Sequence, residues 1–182
     1  MADTSPHGVT ATAATMPSHP AVEKVAVELR RLGIEPEVRW LDGAATTAQS
    51  AAEALGIGVG QIANSLIFLL DDAPVLVLTS GAHRVDTAWL GAQLGGTIGR
   101  ASKDVVKQAT GQTIGGVAPV GHPSPVRTYV DTALAAHDEV WAAAGHPRTV
   151  FRTSFAELVR LTGGTSSPVE PEAADAESGE GA

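Results

Sequence analysis

The chain has 182 residues, 43% of them apolar and 18% charged, with 4% aromatic residues and a net charge of −8. That is an ordinary globular composition for one domain plus tails. The absence of cysteine excludes a disulfide framework, a thiolate nucleophile and any Cys-ligated metal. The longest apolar run, Leu66 to Leu70, is far below the ~20 residues of a membrane helix, and the first twenty residues lack the basic start and apolar block of a secretory signal, so a soluble, cytoplasmic protein is expected.

Residues 1–20 are rich in Ala, Thr, Ser and Pro, and residues 165–182 in Glu, Ala, Ser and Pro. Both ends are expected to be disordered and to contribute nothing to folding, which leaves one domain over 21–164. Of the twenty acids, five lie after Glu157 and one is Asp3. The central part therefore balances fourteen acids against twelve bases, and the overall negative charge does not by itself exclude an RNA partner.

Pro20 suits a first helical turn, Val22, Val25, Leu29 and Leu32 follow at helical spacing, and Gly33 supplies the stop. A short strand over Glu37–Leu41 comes next, then a small helix opened by a Thr46–Gln49 capping box and stopped at Gly56. Ser65–Leu70 and Val75–Thr79 read as a hairpin covered on both faces. Asp86 and Ser102 are N-caps of two further helices that stop near Gly95 and Gly111. After a loop from Gln112 to Pro125, strands are expected at Val126–Val130, Glu139–Ala143 and Thr149–Arg152. The last helix opens at Ser154, with Glu157 as capping-box partner, and stops at Gly163-Gly164. The fold class expected is α/β of the α+β type: a mixed, largely antiparallel, six- to seven-stranded barrel-like sheet with surrounding helices.

Gly56-Ile-Gly58-Val-Gly60 follows a helix and precedes a strand, the reverse of a dinucleotide-binding turn. No phosphate loop, nucleophile elbow or histidine pair at metal-ligand spacing is present, so no cofactor and no metal are expected. The unusual stretch is Gly115-Gly116-Val117-Ala118-Pro119-Val120-Gly121-His122-Pro123. Read by itself, it is either a tight turn or a loop exposing backbone N–H groups to a ligand.

Five blocks in order resemble one known family: Thr46 through Ala51-Ala52-Glu53-Ala54-Leu55-Gly56; Gln61-Ile62-Ala63-Asn64-Ser65-Leu66-Ile67-Phe68; Arg84-Val85-Asp86; Thr110-Gly111 with Gly115 to Gly121; and Val130-Asp131. Together with Phe155 to Gly163 they resemble the YbaK proteins and the prolyl-tRNA-synthetase-associated editing domain. The resemblance implies an aminoacyl-tRNA deacylase that hydrolyses mischarged tRNA in trans, with the mischarged aminoacyl-tRNA and an aminoacyl-tRNA synthetase as partners, and with no DNA and no membrane. It implies a pocket walled by the glycine loop, with Asn64, Gly115 and Gly116 as catalytic positions. Thr46, Ser65, Val117, Ala118, Pro119, Gly121, His122 and Asp131 are the substrate-binding candidates. Where the family most often has lysine before Ser or Thr, this chain has Asn64, which can donate hydrogen bonds but carries no charge. The alternative reading is therefore a homologue that binds an aminoacyl-tRNA or a small ligand without turning it over. A third reading is an interaction domain whose acidic tail engages a basic partner. His83 is a further polar candidate, and Arg84, Arg100, Lys103 and Lys107 form the local concentration of bases that could meet RNA phosphates or be a solvated face. Asp131 either orients a pocket group or caps the following turn.

Overall fold

The computed structural model describes residues 17–43 and 46–172. The expected disorder of the two ends concerns mainly segments outside these residues. Helix α1 (Pro20–Arg31) is capped by the His19 ring, whose Nδ1 accepts from Ala21 N at 3.3 Å, and it buries Val22, Val25 and Leu29. Strand β1 (Val38–Trp40) and helix α2 (Ala48–Leu55) follow. The capping box of α2 lies one residue later than expected: Thr47 and Ser50 exchange the two bonds, which leaves the Thr46 side chain out of the cap. The region of Gly58 and Gly60 is a single 3-10 turn, Val59–Gln61.

Strands β2 (Ile62–Leu70) and β3 (Ala73–Ser80) pair antiparallel, from Ala63 opposite Ser80 to Leu70 opposite Ala73. Helix α3 (Thr87–Leu94) is capped by Asp86 and α4 (Lys103–Thr110) by Ser102, as expected. Between them lies β4 (Ile98–Arg100), which the sequence reading missed because three residues around a glycine carry no period. Then come β5 (Arg127–Asp131), a 3-10 segment (Thr132–Ala136), β6 (Val140–Ala143), β7 (Thr149–Thr153), α5 (Phe155–Thr162) and β8 (Thr165–Ser167). Ser154 caps α5, but the Glu157 carboxylate accepts from Thr153 Oγ1 at 3.2 Å instead of closing the box.

The mixed α/β architecture is as expected, with eight strands rather than six to seven. The order is β1-β7-β6-β2-β3-β5-β8, with β4 added to β2. Pairings β1·β7, β2·β3, β2·β4 and β6·β7 are antiparallel, while β2·β6, β3·β5 and β5·β8 are parallel. The expected domain end at 164 is corrected by β8, which pairs with β5, and by Val169, which is fully buried with Val77 and Leu90. Polar composition concealed one strand and one anchoring valine. No helix among the described residues is long and apolar enough to cross a membrane.

The central strand β2 is covered on both faces, as its continuous apolar character implies. Ala63 and Ile67 join the main core with Val25 and Leu29 of α1, Val106 of α4, Leu158 and Leu161 of α5 and Val117, Ala118 and Val120 of the glycine loop. On the opposite face Ile62 packs with Ala51, Ala52, Trp141 and Val150, and Phe68 with Leu90 and Leu94. Strand alternation places Asn64 on this second face and Ser65 on the first.

Candidate functional site

Strand β2 has an interrupted edge. Ile62 O accepts from Gly81 N at 2.8 Å on the β3 side. Even-numbered β2 residues therefore turn their main-chain groups toward β3, and odd-numbered ones toward the other edge. On that other edge β6 pairs only with Ile62 and Ala63, and β4 only with Phe68 to Leu70. Ser65 lies in the gap, with its N–H and C=O directed into it. Its hydroxyl is buried and has no hydrogen-bond partner among the described residues. An orphaned buried hydroxyl costs roughly 1–3 kcal/mol, so it is better matched to a bound ligand than to the unliganded chain.

A cavity of about 50 Å³ opens at this gap, lined among others by Thr46, Ile62, Asn64, Ser65, Gly115, Val117, Trp141, Pro147, Thr149 and Val150. Asn64 and the glycine-loop residues Gly115 and Val117 thus line one cavity. None of the lining side chains is an acid, a base or a histidine. The loop's hydrogen bonds alternate: Gly116 N donates to Thr113 O at 3.0 Å and Ala118 N to Gln112 Oε1 at 2.7 Å. The N–H groups of Gly115 and Val117, the two loop residues on the cavity wall, have no acceptor among the described residues. Gly115 stands at φ +90° in the turn closed by the Gly116 N–H, and the N–H groups of 115 and 117 are the loop donors on the cavity wall left for a ligand.

The loop is held by residues the sequence reading did not single out. Gln112, buried, also donates its Nε2 to Val120 O at 3.1 Å, clamping the second half of the loop on either side of Pro119. Behind the wall, a Cβ on Gly116 would lie 2.7–2.8 Å from the main chain of His146 and Pro147. A buried long polar residue directly before a glycine loop was the available signal. Trp141, Pro147 and Thr149 gave none, because their place depends on β6–β7 folding back beside β2.

Several candidates are elsewhere. Gly116 and Ala118 are buried behind the wall, and the Ala118 N–H is already used. Pro119, Gly121 and His122 line a second cavity of about 260 Å³ with Glu28, Pro125 and Leu161. The loop therefore separates two spaces rather than lining one. Burial holds the His122 imidazole below its ordinary value of 6.5, against the opposing hydrogen bond to Ala118 O at 2.8 Å. Asp131, fully buried, caps the 3-10 turn through Ala133 N (3.0 Å) and accepts from Ser80 N (2.9 Å) and Thr79 Oγ1 (3.3 Å). It lines a third concavity with His83 and Glu170. His83 Nδ1 approaches Asp131 Oδ2 at 3.1 Å without hydrogen-bond alignment.

The basic candidates are also divided. Arg100 stands opposite Phe68 and shares the Asn64 face, whereas Lys103 and Lys107 ride on α4, whose Val106 packs on the other face. Arg84 donates its main-chain N–H to Glu170 at 3.1 Å. None of the four lines the Asn64 cavity.

The chain resembles known proteins over this whole region. The sequence pattern of the aminoacyl-tRNA editing domain matches residues 42–161. A solved structure named as a candidate trans-editing enzyme for prolyl tRNA synthetase superposes with a TM-score of 0.80 at 37% identity, over 85% of this chain and 99% of that one. The uncharacterized protein YwhH of Bacillus subtilis is 26% identical over 139 residues, which are 76% of this chain and 88% of YwhH. The proline–tRNA ligase of Lactiplantibacillus plantarum is 31% identical over 86 residues, 47% of this chain but 15% of the ligase. Motif order, fold and these likenesses agree, and the chain belongs to the aminoacyl-tRNA editing domain family.

Proposed function

We propose that this chain is a deacylase that hydrolyses the ester of a mischarged aminoacyl-tRNA in trans to the synthetase. The observation that carries the reading is the pair of N–H donors at Gly115 and Val117 without acceptors among the described residues, on the wall of a small uncharged cavity that Asn64 and Ser65 also line. Attack of water on the ester carbonyl places negative charge on its oxygen, and fixed N–H donors stabilise that charge by roughly 2.7–4 kcal/mol each. The ester C–O bond then breaks, the carbonyl re-forms, and the proton of the attacking water ends on the ribose oxygen that is released. The cavity walls, Trp141, Ala51 and Val150, are buried and packed, so a side chain of only a few heavy atoms fits beside the ester. Purified protein is expected to deacylate one or more of alanyl-, seryl- and cysteinyl-tRNA.

Asn64→Ala is expected to slow this reaction by up to roughly tenfold, the worth of one neutral hydrogen bond of about 0.5–1.5 kcal/mol. Single-turnover rates on charged tRNA measure it, and a loss beyond a thousandfold would assign Asn64 a larger share than the backbone donors. A wild-type chain that binds charged tRNA but hydrolyses none, with Asn64→Lys gaining activity, would replace the deacylase by the binding-only reading.

With no ionisable side chain on the cavity wall, the enzyme should contribute no break to the pH–rate profile between pH 6.5 and 8. His146, whose main chain backs the loop, is held below 6.5 by burial and by its neighbours His19 and Arg148, and His122 is also lowered. Both shifts favour the neutral ring across that window, so a break there is expected to come from the substrate amine. The check is to compare the enzymatic profile with that of the free ester; an additional enzymatic pKa would overturn the assignment.

A further inference from the structure

The arginines of the β1–β7 ribbon lie on the same sheet face as Asn64. Arg39 stands opposite Val150, and Leu41 continues the pairing opposite Arg148, with Leu41 N donating to Arg148 O at 2.7 Å. Residues paired across strands share a face, as do residues two apart along one strand. Arg39, Leu41, Arg148, Val150 and Arg152 are therefore on one face. The register Trp141 opposite Arg152 and Ile62 opposite Trp141 carries that face to Ile62, and hence to Asn64 two residues on. Val150 and Trp141 are cavity wall. Arg39 stacks on the wall residue Trp141, and Arg148 lies between the wall residues Pro147 and Thr149.

Both arginines are exposed and held in place. The Arg39 guanidinium lies 4.6 Å from the centroid of the Trp141 ring, and Arg148 Nε donates to Leu41 O at 3.1 Å. Among the described residues the ion pairs made by arginine are Arg30–Glu35, Arg31–Glu28 and Arg152–Glu139, so neither Arg39 nor Arg148 makes one. Two positioned, uncompensated guanidiniums beside a site, on a chain of net charge −8, are a local reversal of the overall field. Planar guanidinium donors with free N–H groups suit phosphate oxygens.

We infer that Arg39 and Arg148 bind the phosphodiester backbone of the RNA strand whose 3′ end enters the Asn64 cavity, and that Lys103 and Lys107, on the far side of the sheet, do not. This rests on the proposed RNA substrate. Binding is measured by fluorescence anisotropy with an uncharged acceptor-stem minihelix ending in CCA, using the full chain at several salt concentrations. Arg39→Gln with Arg148→Gln should weaken binding at least tenfold and flatten the dependence of log K on log salt by about 0.9 per lost phosphate contact. Lys103→Gln with Lys107→Gln should leave both unchanged. Equal binding by wild type and the arginine variant, no binding by wild type at low salt, or a loss confined to the lysine variant would overturn the inference. Binding through the arginines without hydrolysis of charged tRNA would retain it and refute the deacylase instead.

Discussion

Replacing Gly116 with valine is expected to lower both stability and turnover, because the obstacle is main chain and not a movable side chain. A Cβ alone at this position lies 2.7 Å from His146 C and 2.8 Å from His146 Cα and Pro147 N. Relief requires the glycine loop and the β6–β7 turn to separate. Overpacking of this kind costs about 1–3 kcal/mol, and a chain of this size loses roughly 2–4 °C of Tm per kcal/mol. The same displacement moves the Gly115 and Val117 N–H groups, and an error of about 1 Å in such donors can reduce rate by on the order of 10²-fold. Gly116→Ala should show much of both effects, since its Cβ meets the same atoms. Thermal denaturation with single-turnover deacylation tests this; full activity with unchanged Tm in the valine variant would mean that the loop does not pack against 146–147 as described.

Ending the chain after Gly164 should destabilise it markedly, contrary to what its polar composition suggests. The cut removes β8, paired with β5 through Tyr129, Val130 and Asp131, and with it Val169, which is fully buried on Val77 and Leu90. It also removes the Val169 carbonyl that accepts from Asp86 N at 2.9 Å, next to the cap of α3. Exposure of the valine site alone is worth about 1.5–3 kcal/mol, and the lost strand pairing adds to it. A Tm fall of roughly 4–12 °C relative to a chain ending at residue 172 is expected. A difference within 2 °C would sink the assignment of β8 and Val169 as part of the fold.

Most of what the sequence determined by itself was local. Asp86, Ser102 and Ser154 cap helices because their side-chain oxygens satisfy N–H groups three residues ahead, and that chemistry needs no tertiary partner. The apolar runs of β2 and β3, interrupted by Asp71-Asp72, determined the hairpin, and the ordered motif blocks determined the family and named Asn64 and Gly115 as candidates for one pocket. What the tertiary structure alone decided depends on chain segments far apart in sequence. Whether Thr165–Ser167 is tail or strand is settled by the free edge of β5, and whether the Ala118 N–H is available is settled by Gln112. The division of the loop between two cavities, and the placement of His122 and Asp131 outside the Asn64 site, follow from how α1, α5 and β5 pack around it. The open stretch of β2 at Ser65 exists because β6 stops at Ala63 and β4 begins at Phe68. Strand register is a long-range property, and it alone set Arg39 and Arg148 on the face of Asn64 and left Lys103 and Lys107 on the other.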